Sequence, residues 1–293
     1  MPQSQNTAPG FLYKFIHFPV TRIVIALLYV FVPIGAVQTL LKMVGGPFDN
    51  LLVFTVLAVP LALLAYWGYV RTIEHRPATE ISLTNSAREF AVGSLTGTAL
   101  FSVTIGTIAA LGYYHITGSQ RWEVLIDSLA LSIMSGFLEE ILSRGILFRI
   151  LEEWLGTWIA LALSAAMFGA MHLGNPNATI TSAVAIALEA GLLLGACYVL
   201  TRRLWLAIGL HAAWNFTQGG IFGVSVSGTG ANGILVSTLT GPDILSGGAF
   251  GAEASIVAVV VCVTAFLFII AKARRQGHIL RPFWIHPDAG QSA

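Results

Sequence analysis

Eight stretches of this chain are apolar over lengths close to the ~20 residues a helix needs to cross a bilayer. They run over 23–41, 51–70, 90–113, 124–147, 158–172, 180–200, 204–222 and 254–271. A soluble fold would have to bury them all. Only 10% of the 293 residues are charged, against roughly 25% in soluble domains. The chain is therefore expected to be an all-α polytopic transmembrane bundle of eight spans. The net charge of +1 and the lack of any long basic run exclude a nucleic-acid partner. Cys197 and Cys262 both lie in apolar runs, so neither a disulfide nor a cysteine metal site is expected.

Orientation follows from the positive charges. With an even number of spans both termini share one side, and 13 of the 15 Lys and Arg fall there. Only Lys42 and Arg121 fall on the other. Short loops rich in Lys and Arg stay in the cytoplasm, so both termini are expected to be cytoplasmic. The polar stretch 1–10 has no basic flank or small-residue cleavage site, so the first span is expected to remain in the mature protein. The charged loop before Phe90 reads as solvated. So do His17, His75, His115, His278 and His286, which lie at span ends or in tails. Residues 219–251 hold ten glycines and no Lys or Arg, and are expected to form a non-cytoplasmic lid or re-entrant piece. They are too long for a simple turn.

Three spans carry polar groups that lipid would reject. The fourth holds Glu139, Glu140 and Arg144; the fifth closes on His172; the seventh holds His211 and Asn215. Ionisable groups at membrane depth face a protein interior or a wet cavity, and pair there. Glu140 and Arg144 are four apart, acid first, which is the favourable order on one helix face. Glu139 points about 100° away and has no charged local partner. His211 and Asn215 are also four apart and can address one small group together. Small residues nearby let helices approach closely: Ser135 and Gly136, Gly169 and Ala170, Gly191 and Gly195, Ala212 and Ala213.

A carboxylate beside an imidazole in a low-dielectric pocket can take a proton from water. Asn and His side chains can donate to a developing oxyanion. Together these make a hydrolase acting on an acyl group, most simply a peptide bond. The same Glu139, His172 and His211 could instead hold zinc with an open position for water. No H-E-x-x-H, P-loop or nucleophile elbow is present.

In order on successive apolar spans, Glu139-Glu140-xxx-Arg144, Phe168-xxx-His172 and His211-xxx-Asn215 resemble the three motifs of the CAAX-protease and bacteriocin-processing intramembrane protease family, of the Ras-converting-enzyme type. The resemblance covers about 122–222, and the run from Gln218 to Gly228 is similar to a bacterial branch. It implies a catalytic core over 121–222, between a three-span region over 1–120 and a C-terminal part over 223–293. It also implies an endopeptidase of the bacterial inner membrane acting on a peptide or protein substrate within the lipid bilayer. Glu139 with His172 would activate water, His211 and Asn215 would stabilise the oxyanion, and Glu140 with Arg144 would hold the helix. No cofactor is required by this reading, although zinc is the candidate metal where the family is labelled metalloprotease. Prenylated substrates do not follow. The rival readings are a non-proteolytic membrane scaffold or immunity-type protein and a proton-coupled transporter; the transporter lacks the internal repeat such proteins show.

One difficulty stands against this picture. Glu139 is about 22 Å along its span, near the cytoplasm, whereas His172 closes the next span near the opposite face. Their meeting requires the fourth helix to start or tilt differently, or the fifth to start late, after residues 154–158; the fourth is expected to run past Arg144 to about Glu152.

Overall fold

A computed structural model of the chain describes residues 10–46 and 49–285. Most of the expected N-terminal polar stretch and His286 lie outside these residues. Helix α1 (Phe11–Ile16) lies ahead of α2 (Pro19–Val44), which opens on a proline whose missing N–H costs a first turn nothing. Next come α3 (Leu51–Thr72), capped by the Asn50 side chain accepting from Val53 N at 2.9 Å, and α4 (Ser86–Ala110). Strand β1 (Tyr114–Ser119) precedes α5 (Val124–Glu140), which continues as a π-wound stretch Ile141–Phe148 into α6 (Arg149–Met171). Helix α7 (Ile180–Ile186) runs through π winding at Ala187–Gly191 into α8 (Leu192–Thr201). Helix α9 (Trp205–Asn215) continues as π winding over Phe216–Ile221. Strand β2 (Leu235–Leu239), the short α10 (Asp243–Ser246) and α11 (Ile256–Arg275) complete the chain.

The chain is thus an all-α polytopic bundle. Among the described residues, six helices are long and apolar enough to cross a membrane. One is the 51-residue run Val124–Gly174, which holds two of the eight expected spans. The expected seventh span is α9 plus its π extension, only 11 residues before the winding changes.

The long run also removes the depth difficulty. It reverses at Gly156, whose φ of 75° and ψ of 167° lie outside helical space. That conformation suits glycine, and an added Cβ would stand 2.7 Å from Pro282 N. The helix carrying Glu139 therefore runs on past Arg144, as expected. Gly156 lies 17 residues after Glu139 and 16 before His172, so the reversal returns His172 to the level of Glu139.

The two ends of the bundle differ in chemistry. At one end a buried ion network replaces the solvated loop the sequence suggested. Arg22 and Arg149 meet Glu74 at 2.6 and 2.8 Å, and Arg76 meets both Glu74 and Glu80 at 2.8 Å. The Glu74 side chain is 3% exposed. Burial pushes its carboxyl up, but Arg149 and Arg22 outweigh that and bring it down to about 2. Arg202 with Glu152 and Arg203 with Glu89 extend the network. His278, expected solvated, is part-buried here with Nδ1 3.1 Å from Val199 O. The opposite end is closed by a two-stranded antiparallel sheet of β1 and β2 and by the glycine-rich segment. That segment is a strap with one strand and one four-residue helix.

Glycines set how closely the helices pack. A Cβ at Gly93 would stand 2.2 Å from Leu206 O, at Gly97 2.3 Å from Leu210 O, and at Gly209 2.2 Å from Phe90 O. Backbone therefore lies on backbone where α4 crosses α9, the helix that carries His211 and Asn215. Gly191 lets α6 approach as closely, with a Cβ there 2.8 Å from Ala165 Cα, and Gly195 leaves room for the Leu161 side chain, 2.5 Å from its Cβ position.

Candidate active site

Glu140 and Arg144 form the fully buried centre. Their side chains are 0% and 2% exposed, and Arg144 Nη1 donates to Glu140 Oε1 at 2.8 Å. Arg144 Nη2 donates to the carbonyls of Ala190 and Gly191 at 3.1 Å each, at the end of the π winding that leads into α8. The guanidinium stands 4.6 Å over the Phe168 ring. One side chain thus ties α5 to α6 and α8. A buried charge held this way is costly to strand by removing its partner.

His211 joins this centre. Its Nδ1 donates to the same Glu140 oxygen at 2.9 Å, and its Nε2 stands 3.9 Å from Glu139 Oε2. The imidazole therefore spans the two adjacent carboxylates, one buried and one 34% exposed to the cavity. His172 donates Nδ1 to Phe168 O at 2.7 Å, since a carbonyl only accepts. In neutral His172 the basic nitrogen is then Nε2. Asn215 Nδ2 donates to Ser135 Oγ at 3.1 Å, which fixes its amide across α5 and α9.

Glu139, His172 and Asn215 all line one open groove of about 550 Å³. His172, His211 and Asn215 also line a smaller cavity behind it, with Glu189, Glu253 and Trp214. The structure thus brings all six sequence-predicted residues together. Three open on the groove, and Glu140, Arg144 and His211 stand behind them.

The zinc set fares differently. Among the described residues no group of three His, Cys, Asp or Glu is placed to hold a metal ion. Both histidines donate Nδ1, one to backbone and one to Glu140, which orients each ring and leaves its Nε2 free.

Sequence reading missed several neighbours. Glu253 is buried and accepts from Ser227 N, tying the start of α11 to the strap over the groove. Burial pushes its carboxyl up to about 7. Glu189 is buried with Cys262 Sγ 3.4 Å from its carboxylate. Its only sequence signal was a lone acid in an apolar span. Ser128, Ser132 and Ser135 line the groove above Glu139, at spacings of four, three and four that a helix face would have revealed.

Residues 121–217 match the family described as type II CAAX prenyl endopeptidase Rce1-like. Over this segment the chain is similar to the Rce1-like, CAAX-protease family. The matched part is about a third of the chain and contains all six site residues. No curated protein and no solved structure matches the chain. The six apolar helices and this similarity to a membrane endopeptidase family support a multi-pass membrane protein.

Proposed function

We propose that this Rce1-like protein is an intramembrane endopeptidase in which Glu139 and His172 activate a water molecule in the groove. The observation that carries the reading is the convergence of Glu139, His172 and Asn215 on one groove, with His211 bridged between Glu139 and Glu140. Glu139, the exposed carboxylate, takes a proton from water, and His172 accepts a hydrogen bond from the same water at Nε2. The water oxygen bonds to the substrate carbonyl carbon, and the carbonyl π electrons pass to its oxygen. Asn215 donates to that oxyanion from its amide. His211, as imidazolium between two carboxylates, donates to it from Nε2. Collapse reforms the carbonyl and breaks the C–N bond, and the amine leaves with the proton that Glu139 had taken. Two such donors aimed at developing charge in a water-poor site contribute several kcal/mol, at about 3 kcal/mol each.

Glu140 and Arg144 touch no substrate in this scheme. They hold His211 by its Nδ1 and keep α5, α6 and α8 in register. The reading places the enzyme in the inner membrane of a bacterium.

The test is proteolysis by the purified full-length protein in lipid nanodiscs. A pool of membrane-protein fragments and peptides is digested in ¹⁸O-labelled water and read by mass spectrometry. The expected result is discrete cleavages with one label in the new carboxyl, lost in Glu139→Ala and in His172→Ala while both variants stay folded. Undiminished cleavage by either folded variant would overturn the assignment.

A further inference from the structure

The groove has a direction, and that direction selects a substrate class. It runs down one face of α5, from Ser128 through Ser132 and Ser135 to Glu139, about 16 Å at the helical rise. Its mouth is built by the starts of α3 and α5 and by strap residues Thr229 to Asn232, where Ser128 Oγ donates to Asn232 O at 2.8 Å. All of these belong to the sheet end of the bundle. The ion network of Arg22, Glu74, Arg149 and Arg203 belongs to the other end. Beyond Glu139 toward that network the chain is sealed. Glu140, Ile141, Arg144, Ile146 and Phe148 are all buried.

Positive charge identifies the two ends. Twelve of the 15 Lys and Arg belong to the network end and the stretches that join it, Arg144 lies in the buried centre, and no Lys or Arg lines the groove. Its charged lining residues are both acids, Asp127 and Glu139. A bundle inserted by the retention of positive loops holds the network end in the cytoplasm. The groove then opens on the opposite side.

Resting on the endopeptidase reading above, we propose that the site takes its substrate from the non-cytoplasmic side. That substrate is an extended, neutral or basic segment of an exported or membrane-anchored polypeptide. Hydroxyls along α5 and the strap backbone offer hydrogen bonds to an extended chain, and the two carboxylates disfavour acidic segments at the same place. A substrate whose cleavage site is presented in the cytoplasm has no route to Glu139, because the buried layer at Glu140 to Phe148 closes that side.

The test uses the full chain in intact cells. Both native cysteines are buried, so the wild type gives a low background to a membrane-impermeant maleimide. Thr229→Cys marks the groove mouth, Leu131→Cys the groove wall and Arg71→Cys the network end; all three positions are exposed. The expected result is labelling of Thr229→Cys and Leu131→Cys in intact cells, and of Arg71→Cys only after permeabilisation. A neutral or basic reporter segment fused outside the membrane should be cut, and the same segment fused inside should stay intact. Labelling of Arg71→Cys in intact cells with both groove cysteines protected overturns the proposal, as does cutting of the inside reporter alone. Outside labelling with no reporter cut on either side has a separate meaning. It keeps the orientation and removes the endopeptidase reading, so the two failures are distinguishable.

Discussion

Replacing Gly97 by alanine tests whether helix packing alone sets the catalytic geometry. A Cβ at Gly97 would lie 2.3 Å from Leu210 O and 3.0 Å from Trp214 N. Ordinary contact begins near 3.4 Å, so α4 and α9 must separate by about 1 Å where they cross. The obstructing atom is backbone of the residue before His211, so no flexible side chain can yield instead. His211 Nδ1 sits 2.9 Å from Glu140, and a shift of that size takes it out of hydrogen-bond range. Misplacement of a catalytic group by about 1 Å costs on the order of 10²-fold in rate. The assay is cleavage in nanodiscs of a substrate found with the wild type, with the rate normalised to the folded fraction. Gly106→Ala is the matched control: it is on the same helix, meets nothing within 4 Å, and should gain up to about 1 kcal/mol of helix propensity. A folded Gly97→Ala protein with wild-type rate would refute the link from packing to chemistry.

Two further outcomes follow from the charge arrangement. Arg144→Ala leaves Glu140 buried without its guanidinium and frees the Ala190 and Gly191 carbonyls. It should cost about 3–5 kcal/mol in reversible unfolding in detergent micelles, with only partial rescue by lysine, which lacks the planar fork. Glu74 carries the pH dependence. Its carboxyl is lowered from 4.5 to about 2, so its contribution is fully present above about pH 4.5 and lost as pH falls toward 2. At about 1.4 kcal/mol per pH unit that is up to about 3 kcal/mol. Thermal melts across this range should show the loss in the wild type and a flatter profile in Glu74→Gln.

The sequence by itself determined the class of fold and singled out the six polar residues that the structure brings together, because both are written in local spacing. Apolar runs of bilayer length declare helices without reference to anything distant, and Glu140 with Arg144, or His211 with Asn215, share a face by helical periodicity alone. The positive-charge asymmetry was legible for the same reason. Other features depend on residues far apart in the chain, and only the tertiary structure decided them. The reversal at Gly156 lifts His172 to the level of Glu139, although the span boundaries set them apart. Charges expected in water at Glu74 and Glu80 are buried, because Arg22 and Arg149 arrive from other helices to meet them. The π windings after Glu140 and Asn215, the close crossing at Gly97 and the strap pinned by Glu253 left no pattern in the sequence. The same holds for the end of the bundle at which the groove opens. An apolar span fixes how long a helix is, but the depth, partner and exposure of each polar group on it are set by whichever backbone packs against it.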